Sequence, residues 1–273
     1  MTFSKSMQRT VGTLSVHDLG EYDSVDISCA GDFHIGDALA DTNMVREWVD
    51  WLCEEPNRFG VIPGDVLNMA TRNSVSFEYG TMHPGEAREL ATSILAPAAK
   101  LGKIKGVVTG NHDNRGDKET GIDPLEWVCT ELEIPYYSSE AVILFKVGHW
   151  KHMSRKRARS PISYSLYMSH GCKGGRKTGS KLNGVMDYRE VIPNCDVYVG
   201  GHGHDPIIKP DVSYHISHTS IIQQQQMFVV CGASLDRRMG QGYAAMKAYR
   251  PLAKVFPIVT LDGTRKHISA RVD

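Results

Sequence analysis

Aspartate, asparagine and histidine recur beside glycine or serine at five places in this sequence, each where an apolar run gives out. "VDISCA" runs into Gly31-Asp32-Phe33-His34, and "FGVIP" into Gly64-Asp65-Val66-Leu67-Asn68. "IKGVVT" runs into Gly110-Asn111-His112-Asp113, "SYSLYM" into Ser169-His170-Gly171, and "CDVYVG" into Gly201-His202-Gly203-His204. These residue types offer oxygen and imidazole nitrogen, and no cysteine sits in any of the turns. Such a set suits Mn, Fe, Zn or Co better than a thiolate-bound structural zinc. Asp32, His34, Asp65, Asn111, His170, His202 and His204 are too many for one ion. A carboxylate can bridge, so the set can serve two ions about 3.5–4 Å apart. Two ionised carboxylates against two divalent ions leave a net charge near plus two. Such a site attracts a phosphate ester and makes hydroxide available near neutral pH.

Positioning these residues requires strands whose carboxyl ends meet on one edge, which is where open α/β sheets build sites. The first half of the chain alternates strand-like and helix-like runs. "NMVREWVDWLCEE" spaces Val45, Trp48, Val49 and Leu52 as a helix does, with Asp41 or Thr42 as N-cap. "GEARELATSILAPAAKL" reads as a helix that Pro97 kinks or shortens, and Asp123-Pro124 opens another. "AVILFKVG" and "ISYSLYMS" read as a strand pair around a basic loop, and "GVMDYREVI" as a short helix. The second half is strand-rich, with Gln223 to Gln226 as a loop entering a strand. The expectation is an α/β fold with two packed sheets and helices outside. Residues 1–24 read as a polar lead-in or short edge strand, and residues 25–273 as a single catalytic domain without a linker.

At 273 residues the chain can bury a full core, and its charges balance to zero with a pI near 7.2. That excludes a uniformly basic coat but permits local basic patches. Six scattered cysteines without CxxC spacing read as reduced thiols of a cytoplasmic protein. No secretory h-region and no membrane-length apolar run is expected, so no membrane partner is.

The ordered series Asp-x-His, Gly-Asp-x-x-Asn, Gly-Asn-His-Asp, His-Gly, Gly-His-x-His, from Asp32 to His204, resembles the calcineurin-like metallophosphoesterases. The resemblance implies a two-sheet β-sandwich flanked by helices, a four-layer αββα arrangement. It implies Asp32, His34 and His204 on a first metal, Asn111, His170 and His202 on a second, and Asp65 as the bridge. Manganese is favoured, with Fe, Zn and Co fitting the same ligands. His202 and His204 then aim at different ions, with Gly203 turning the backbone between them. His112 matches the family's non-ligand histidine that assists the leaving oxygen. Asn68 matches the residue that orients it, where many relatives carry Asp; the uncharged amide supports imidazolium less.

The resemblance implies a phosphoester hydrolase using a metal-bound hydroxide, a phosphodiesterase or nuclease first. "GDVLNMA" and "GNHDNR" depart from the Gly-Asp-x-x-Asp-Arg-Gly and Gly-Asn-His-Glu of the protein phosphatases. "GGRKTGSKLNG" and "GYAAMKAYRP" look similar to small stand-alone phage and bacterial members. Arg115 is placed to meet a phosphate oxygen. Arg176 and Lys177, in the basic run "CKGGRKTGSKLNG", suit a DNA or RNA backbone, as does "KHMSRKRARS" at the tip of the strand pair. No aromatic residue interleaves the former run. Asp113 reads as a cap of the helix or loop after its motif, Asp37 as a loop or cap residue, and His83 as a residue near the pocket. The alternatives are a phosphomonoesterase on a nucleotide, metabolite or phosphoprotein, and a binding module without catalysis.

Overall fold

In β2 (Ser24–Cys29) the side chains of Val25, Ile27 and Cys29 face one way into an apolar layer, while Ser28 faces the other. The Ser28 hydroxyl accepts a 2.9 Å hydrogen bond from the indole of Trp48 on α1 (Thr42–Glu54). This period-two split repeats along the central strands and stacks the molecule in four layers. The computed structural model describes residues 14–70, 82–148, 160–171 and 175–272, without the side chains of 119 and 120.

The remaining elements are β1 (Ser15–Leu19), β3 (Arg58–Ile62), α2 (Pro84–Lys100), β4 (Ile104–Val108), α3 (Asn114–Thr120), α4 (Pro124–Glu131), β5 (Tyr136–Tyr137), β6 (Glu140–Val147), β7 (Ile162–Ser169), α5 (Thr178–Met186), β8 (Val197–Gly200), β9 (Ile207–Ser217), β10 (Ser220–Val230), α6 (Gly242–Met246), β11 (Ile258–Asp262) and β12 (Ile268–Arg271). They form two six-stranded mixed sheets, ordered β1-β6-β7-β8-β10-β9 and β12-β11-β2-β3-β4-β5. Val61, Val108, Ile143, Phe145, Leu166, Val199 and Val229 fill the space between the sheets. Val49, Leu52, Ile94, Leu95 and Val128 pack α1, α2 and α4 on the outer face of the second sheet. Val185 of α5 covers Tyr198 and Phe228 on the outer face of the first. This is the expected two-sheet α/β architecture with flanking helices. Among the described residues no helix is long and apolar enough to cross a membrane.

The caps fall where the side chains dictate. The Asp41 carboxylate accepts from Met44 N at 3.1 Å, and the Asp123 carboxylate from Leu125 N at 2.9 Å. His83 caps α2, with Glu86 reaching back to its backbone N–H at 2.8 Å. Pro97 does not end α2, which runs one more turn to Lys100; a proline so near the C-terminus forfeits a single ladder bond. The short helix expected over 184–192 starts earlier, at Thr178, and finishes as a 3-10 turn over Asp187–Glu190. Ser15–Leu19 is an edge strand, parallel to β6.

Gln223 to Gln226 are not a loop. They lie within β10, paired with Asp211 to Tyr214 of β9. Gln226 is fully buried, and its amide donates to Pro193 O and Cys195 O at 3.0 Å each. Composition suggested a solvated run, but tertiary acceptors satisfy the amide instead. Gln226→Leu, which leaves both carbonyls without that donor, should lower unfolding stability by about 1–3 kcal/mol in urea denaturation, without moving the metal stoichiometry.

Candidate metal centre

The strands that carry the five motifs run parallel within their sheets: β2, β3 and β4 in one, β7 and β8 in the other. Their carboxyl ends meet on one rim, where Ala30 bridges to Gly232 and joins the two sheets. The loops after β2 and β3 zip together by backbone hydrogen bonds: Asp32 N to Gly64 O, His34 N to Asp65 O and Ile35 N to Val66 O, at 2.9–3.0 Å. Gly110 lies against this zipper, and a Cβ there would collide with the amide and carboxylate of Asp65.

Five of the expected ligands have left-handed backbones: Asp32 (φ 51°), His34 (49°), Asp65 (53°), His202 (62°) and His204 (54°). Non-glycine residues seldom adopt this region, and such strain collects at functional sites. The expected role of Gly203 therefore changes. The flanking histidines themselves supply the turn, and Gly203 supplies room, since a Cβ there would stand 2.6 Å from Val230 Cγ1.

Asp32, His34 and His204 bring one donor atom each within 4.8 Å of one another, and so do Asp65, His170 and His202. His34 Nε2 lies 3.2 Å from His204 Nε2, which lies 3.4 Å from Asp32 Oδ1. His170 Nε2 lies 3.3 Å from Asp65 Oδ2 and 3.0 Å from Asn111 Oδ1, and His202 Nδ1 lies 2.8 Å from the same Asn111 oxygen. Donors sharing one ion at about 2.0–2.2 Å stand roughly 3 Å apart, so these separations fit two coordination shells. Asp65 Oδ2 also lies 3.8 Å from His34 Nε2, which puts one carboxylate oxygen between the two groups. Among the described residues, the buried atoms Asp32 Oδ2 and Asp65 Oδ2 have no hydrogen-bond partner. A buried, unpaired carboxylate oxygen is costly, and divalent cations are the partners this donor set suits.

Charge is managed from behind. His112 N donates to Asp65 Oδ1 at 2.7 Å, and His202 N to Asp32 Oδ1 at 3.1 Å. His170 donates Nδ1–H to Pro63 O at 2.8 Å, which aims Nε2 at Asp65. Burial depresses the His170 pKa, but the adjoining Asp65 carboxylate outweighs it and raises the value to about 10. Asp65 in turn, despite burial, is held well below the ordinary carboxylate range by His170. Burial, then the neighbouring His112, takes His34 well below 6.5.

His112 and Asn68 sit together beside this centre. Asn68 Nδ2 donates to Asp37 Oδ2 at 3.2 Å. A carboxylate only accepts, so the other end of the amide, Oδ1, faces His112 Nδ1 at 2.7 Å and accepts its proton. That leaves Nε2 as the lone-pair nitrogen; the Arg115 guanidinium lies alongside the ring, Nη2 3.2 Å from Nε2 and Nη1 3.0 Å from Nδ1. Burial pushes His112 down to about 4. Asp37, read from sequence as a loop or cap residue, is thus the anchor of an Asp37–Asn68–His112 chain. It does also cap locally, accepting from Leu39 N at 2.9 Å.

Asp113 is not a helix cap. It is fully buried and accepts from Leu67 N at 2.8 Å and Gly110 N at 2.9 Å, tying the β3 loop to the β4 loop. Burial, then Asp65, pushes its carboxyl up to about 7. Sequence offered no signal for either role, because Asn68 for Asp37 and Leu67 for Asp113 come from loops far along the chain. Arg176 and Lys177 are not brought to the metal donors; Arg176 donates to Lys247 O at 2.9 Å, and Lys177 stands exposed at the start of α5. Residues 151–159 of the basic tip and 172–174 of the second basic run lie outside the described residues. The tip's anchors, Val147 and Ile162, pair at the end of the β6–β7 hairpin opposite Ser169, roughly 24 Å from the His170 rim.

No protein-family model matches the chain, and no curated protein matches it. It is similar to the solved structure of the calcineurin-like phosphoesterase YfkN from Bacillus subtilis over 92% of its own length and 90% of that chain, at 9% identity and TM-score 0.41. It is similar to the NAD nucleotidase NadN of Haemophilus influenzae over 92% of its length and 49% of that chain, at 10% identity and TM-score 0.41. It is similar to the nuclease MPE of Pseudomonas putida over 90% of its length and 87% of that chain, at 13% identity and TM-score 0.32.

His170 is an imidazolium near neutral pH when no other cation is present, because its raised pKa lies above 7. A divalent ion that takes Nε2 must displace that proton. Metal uptake at pH 7 should therefore release protons, and metal affinity should rise with pH through the neutral range. Calorimetric titration in buffers of different ionisation enthalpy measures the release; uptake with no release would contradict this assignment.

Proposed function

We propose that this chain is a calcineurin-like metallophosphoesterase that hydrolyses phosphodiesters with two divalent ions, manganese first among them. The observation that carries the reading is Asp65. Its one unpartnered, buried oxygen lies between His34 of one donor group and His170 of the other. That is the placement a bridging carboxylate needs. The order of the five motifs along the chain supports the same family. Asp32, His34 and His204 would hold one ion and Asn111, His170 and His202 the other. Bound there, the ions supply Lewis acidity towards phosphoryl oxygens and make water a stronger nucleophile near neutral pH.

The remaining chemistry belongs to side chains of this protein. Asp37 fixes the Asn68 amide, which fixes the His112 tautomer, so Nε2 is the nitrogen that handles protons. The ring is neutral at rest, since burial holds it near 4. An anionic phosphate at the rim favours the imidazolium, so Nε2 takes up a proton from solvent and then gives it to the leaving oxygen. Arg115, alongside the same ring at 3.0 and 3.2 Å, is within reach of that phosphate. Guanidinium binds a phosphate oxygen more strongly than it binds a neutral imidazole, so substrate draws it off the ring. A diester is favoured over a monoester because the basic run that follows His170 in sequence, with Arg176 and Lys177, suits a longer substrate.

After metal removal and restoration with Mn²⁺, the protein should hydrolyse bis-(nitrophenyl) phosphate faster than nitrophenyl phosphate; the reverse preference would make it a phosphomonoesterase. Asp65→Asn should abolish most turnover of both. His112→Ala should lower kcat by about 10²–10⁴ with metal still bound.

Asp37→Ala releases the Asn68 amide to turn over. It should lower kcat by about tenfold and shift the pH–rate profile, with KM little changed. Asp37→Asn keeps an acceptor for the amide and should restore most of the rate. Equal damage from both would make Asp37 a matter of folding alone.

A further inference from the structure

The basic run around Arg176 contains no aromatic residue, but the fold brings two aromatics to it from the far end of the chain. Arg176 Nη2 donates to Lys247 O at 2.9 Å, and its guanidinium lies 5.6 Å from the centre of the Tyr249 ring. Tyr249 meets Tyr243 edge to face at 6.1 Å, and Lys247 Nζ lies 5.8 Å from the Tyr243 ring centre. Both rings are exposed, Tyr243 at 42% and Tyr249 at 39%. Single exposed aromatics are ordinary, but these two adjoin each other and share the face with cations. Among the described residues, Arg176, Lys177 and Lys247 have no carboxylate within ion-pair reach, whereas Arg250 and Lys254 do. The face therefore combines unneutralised cations with exposed flat rings.

Its position relates it to the metal centre on two sides. Arg250 Nη2 donates to Asp205 Oδ2 at 2.7 Å and to Thr178 Oγ1 at 2.9 Å, and Asp205 directly follows His204. The segment leading to Tyr243 packs on the loop that carries Asp32 and His34. Ser234 N donates to Asp32 O, Asp236 N donates to Leu39 O, and Gly242 lies against the Leu39 side chain. A chain of phosphates crossing this face would arrive at the rim where Asp32 and His204 stand.

We propose that this face, built on Tyr243 and Tyr249 with Arg176, Lys177 and Lys247, binds a single-stranded polynucleotide and feeds it to the metal centre. The proposal rests on the phosphodiester reading of that centre and extends it to a substrate class. Single strands satisfy both features at once, because an unpaired base offers a π-face to each ring while the neighbouring phosphates meet the cations. A duplex hides its base faces, and an acidic peptide has none.

The test is fluorescence anisotropy with the full chain in chelator, so that no cleavage intervenes. The probes are labelled oligothymidylate, oligouridylate, a duplex of equal length, an abasic oligonucleotide and polyglutamate. The proposal expects the two single strands to bind best and the abasic strand about tenfold more weakly. The double variant Tyr243→Leu/Tyr249→Leu should weaken oligothymidylate binding about tenfold, while Tyr243→Phe/Tyr249→Phe should retain it. Arg176→Ala with Lys247→Ala should reduce the slope of log affinity against log salt by about 1.4. Unequal binding of oligothymidylate and oligouridylate distinguishes DNA from RNA within the proposal. Equal binding of the abasic strand, the duplex or polyglutamate would overturn it, as would an unchanged affinity in the leucine pair. Mn²⁺-dependent hydrolysis of bis-(nitrophenyl) phosphate by the unaltered protein is read separately. Strand binding without that hydrolysis would overturn the metal reading alone, and hydrolysis without strand binding would overturn this inference alone.

Discussion

Two carboxylates buried almost completely, Asp32 and Asp65, set the terms for the rest of the molecule. Each has one oxygen satisfied by a backbone N–H and one without a hydrogen-bond partner among the described residues, with His170 Nε2 3.3 Å from that of Asp65. Left so, each would cost several kcal/mol. The offsetting charge must come from groups on both sheets, because Asp32 and Asp65 belong to one sheet while His170, His202 and His204 belong to the other. The two sheets therefore have to touch at this rim, and the Ala30–Gly232 bridge is where they do. The buried Asp113 performs a related task one layer lower, holding the β3 and β4 loops in register through two backbone N–H groups.

The group beside the metal donors shows how one exchange of residue type is absorbed by its surroundings. A carboxylate next to His112 would favour the charged ring directly. Here an amide stands in that place, and the carboxylate is Asp37, on the far side of Asn68. Orientation is preserved, because the amide can be read in only one direction between an obligate acceptor and a ring N–H. Electrostatic support is weakened, since a charge acting through an intervening amide falls off with distance. The ring thus has an oriented edge and a low affinity for its proton.

Most of the donor groups that the fold brings together could be read from the sequence, because each of their parts is local. A strand, a small residue and a donor within two or three positions make a pattern that does not depend on distant contacts. Sheet class and the caps at Asp41 and Asp123 were readable for the same reason. What failed to read depends on residues far apart in the chain. Gln226 looks like a solvated amide until the carbonyls of Pro193 and Cys195 are placed beside it. Asp37 and Asp113 look like ordinary turn residues until Asn68, Leu67 and Gly110 arrive. Arg176 seemed to lack aromatic company because Tyr249 lies more than seventy positions later in the sequence. Pro97 was expected to kink or shorten α2, and the helix is not shortened there but runs on to Lys100.

The left-handed backbones at five donor positions carry an evolutionary meaning. Each costs of order 1–3 kcal/mol in a non-glycine residue, and glycine would remove most of that cost. If the centre hydrolyses phosphoesters as proposed, a lineage released from that need would find substitutions at Asp32, His34, Asp65, His202 and His204 that relax the chain as they remove a donor. Backbone relaxation and metal-donor chemistry would then point in opposite directions at these five sites.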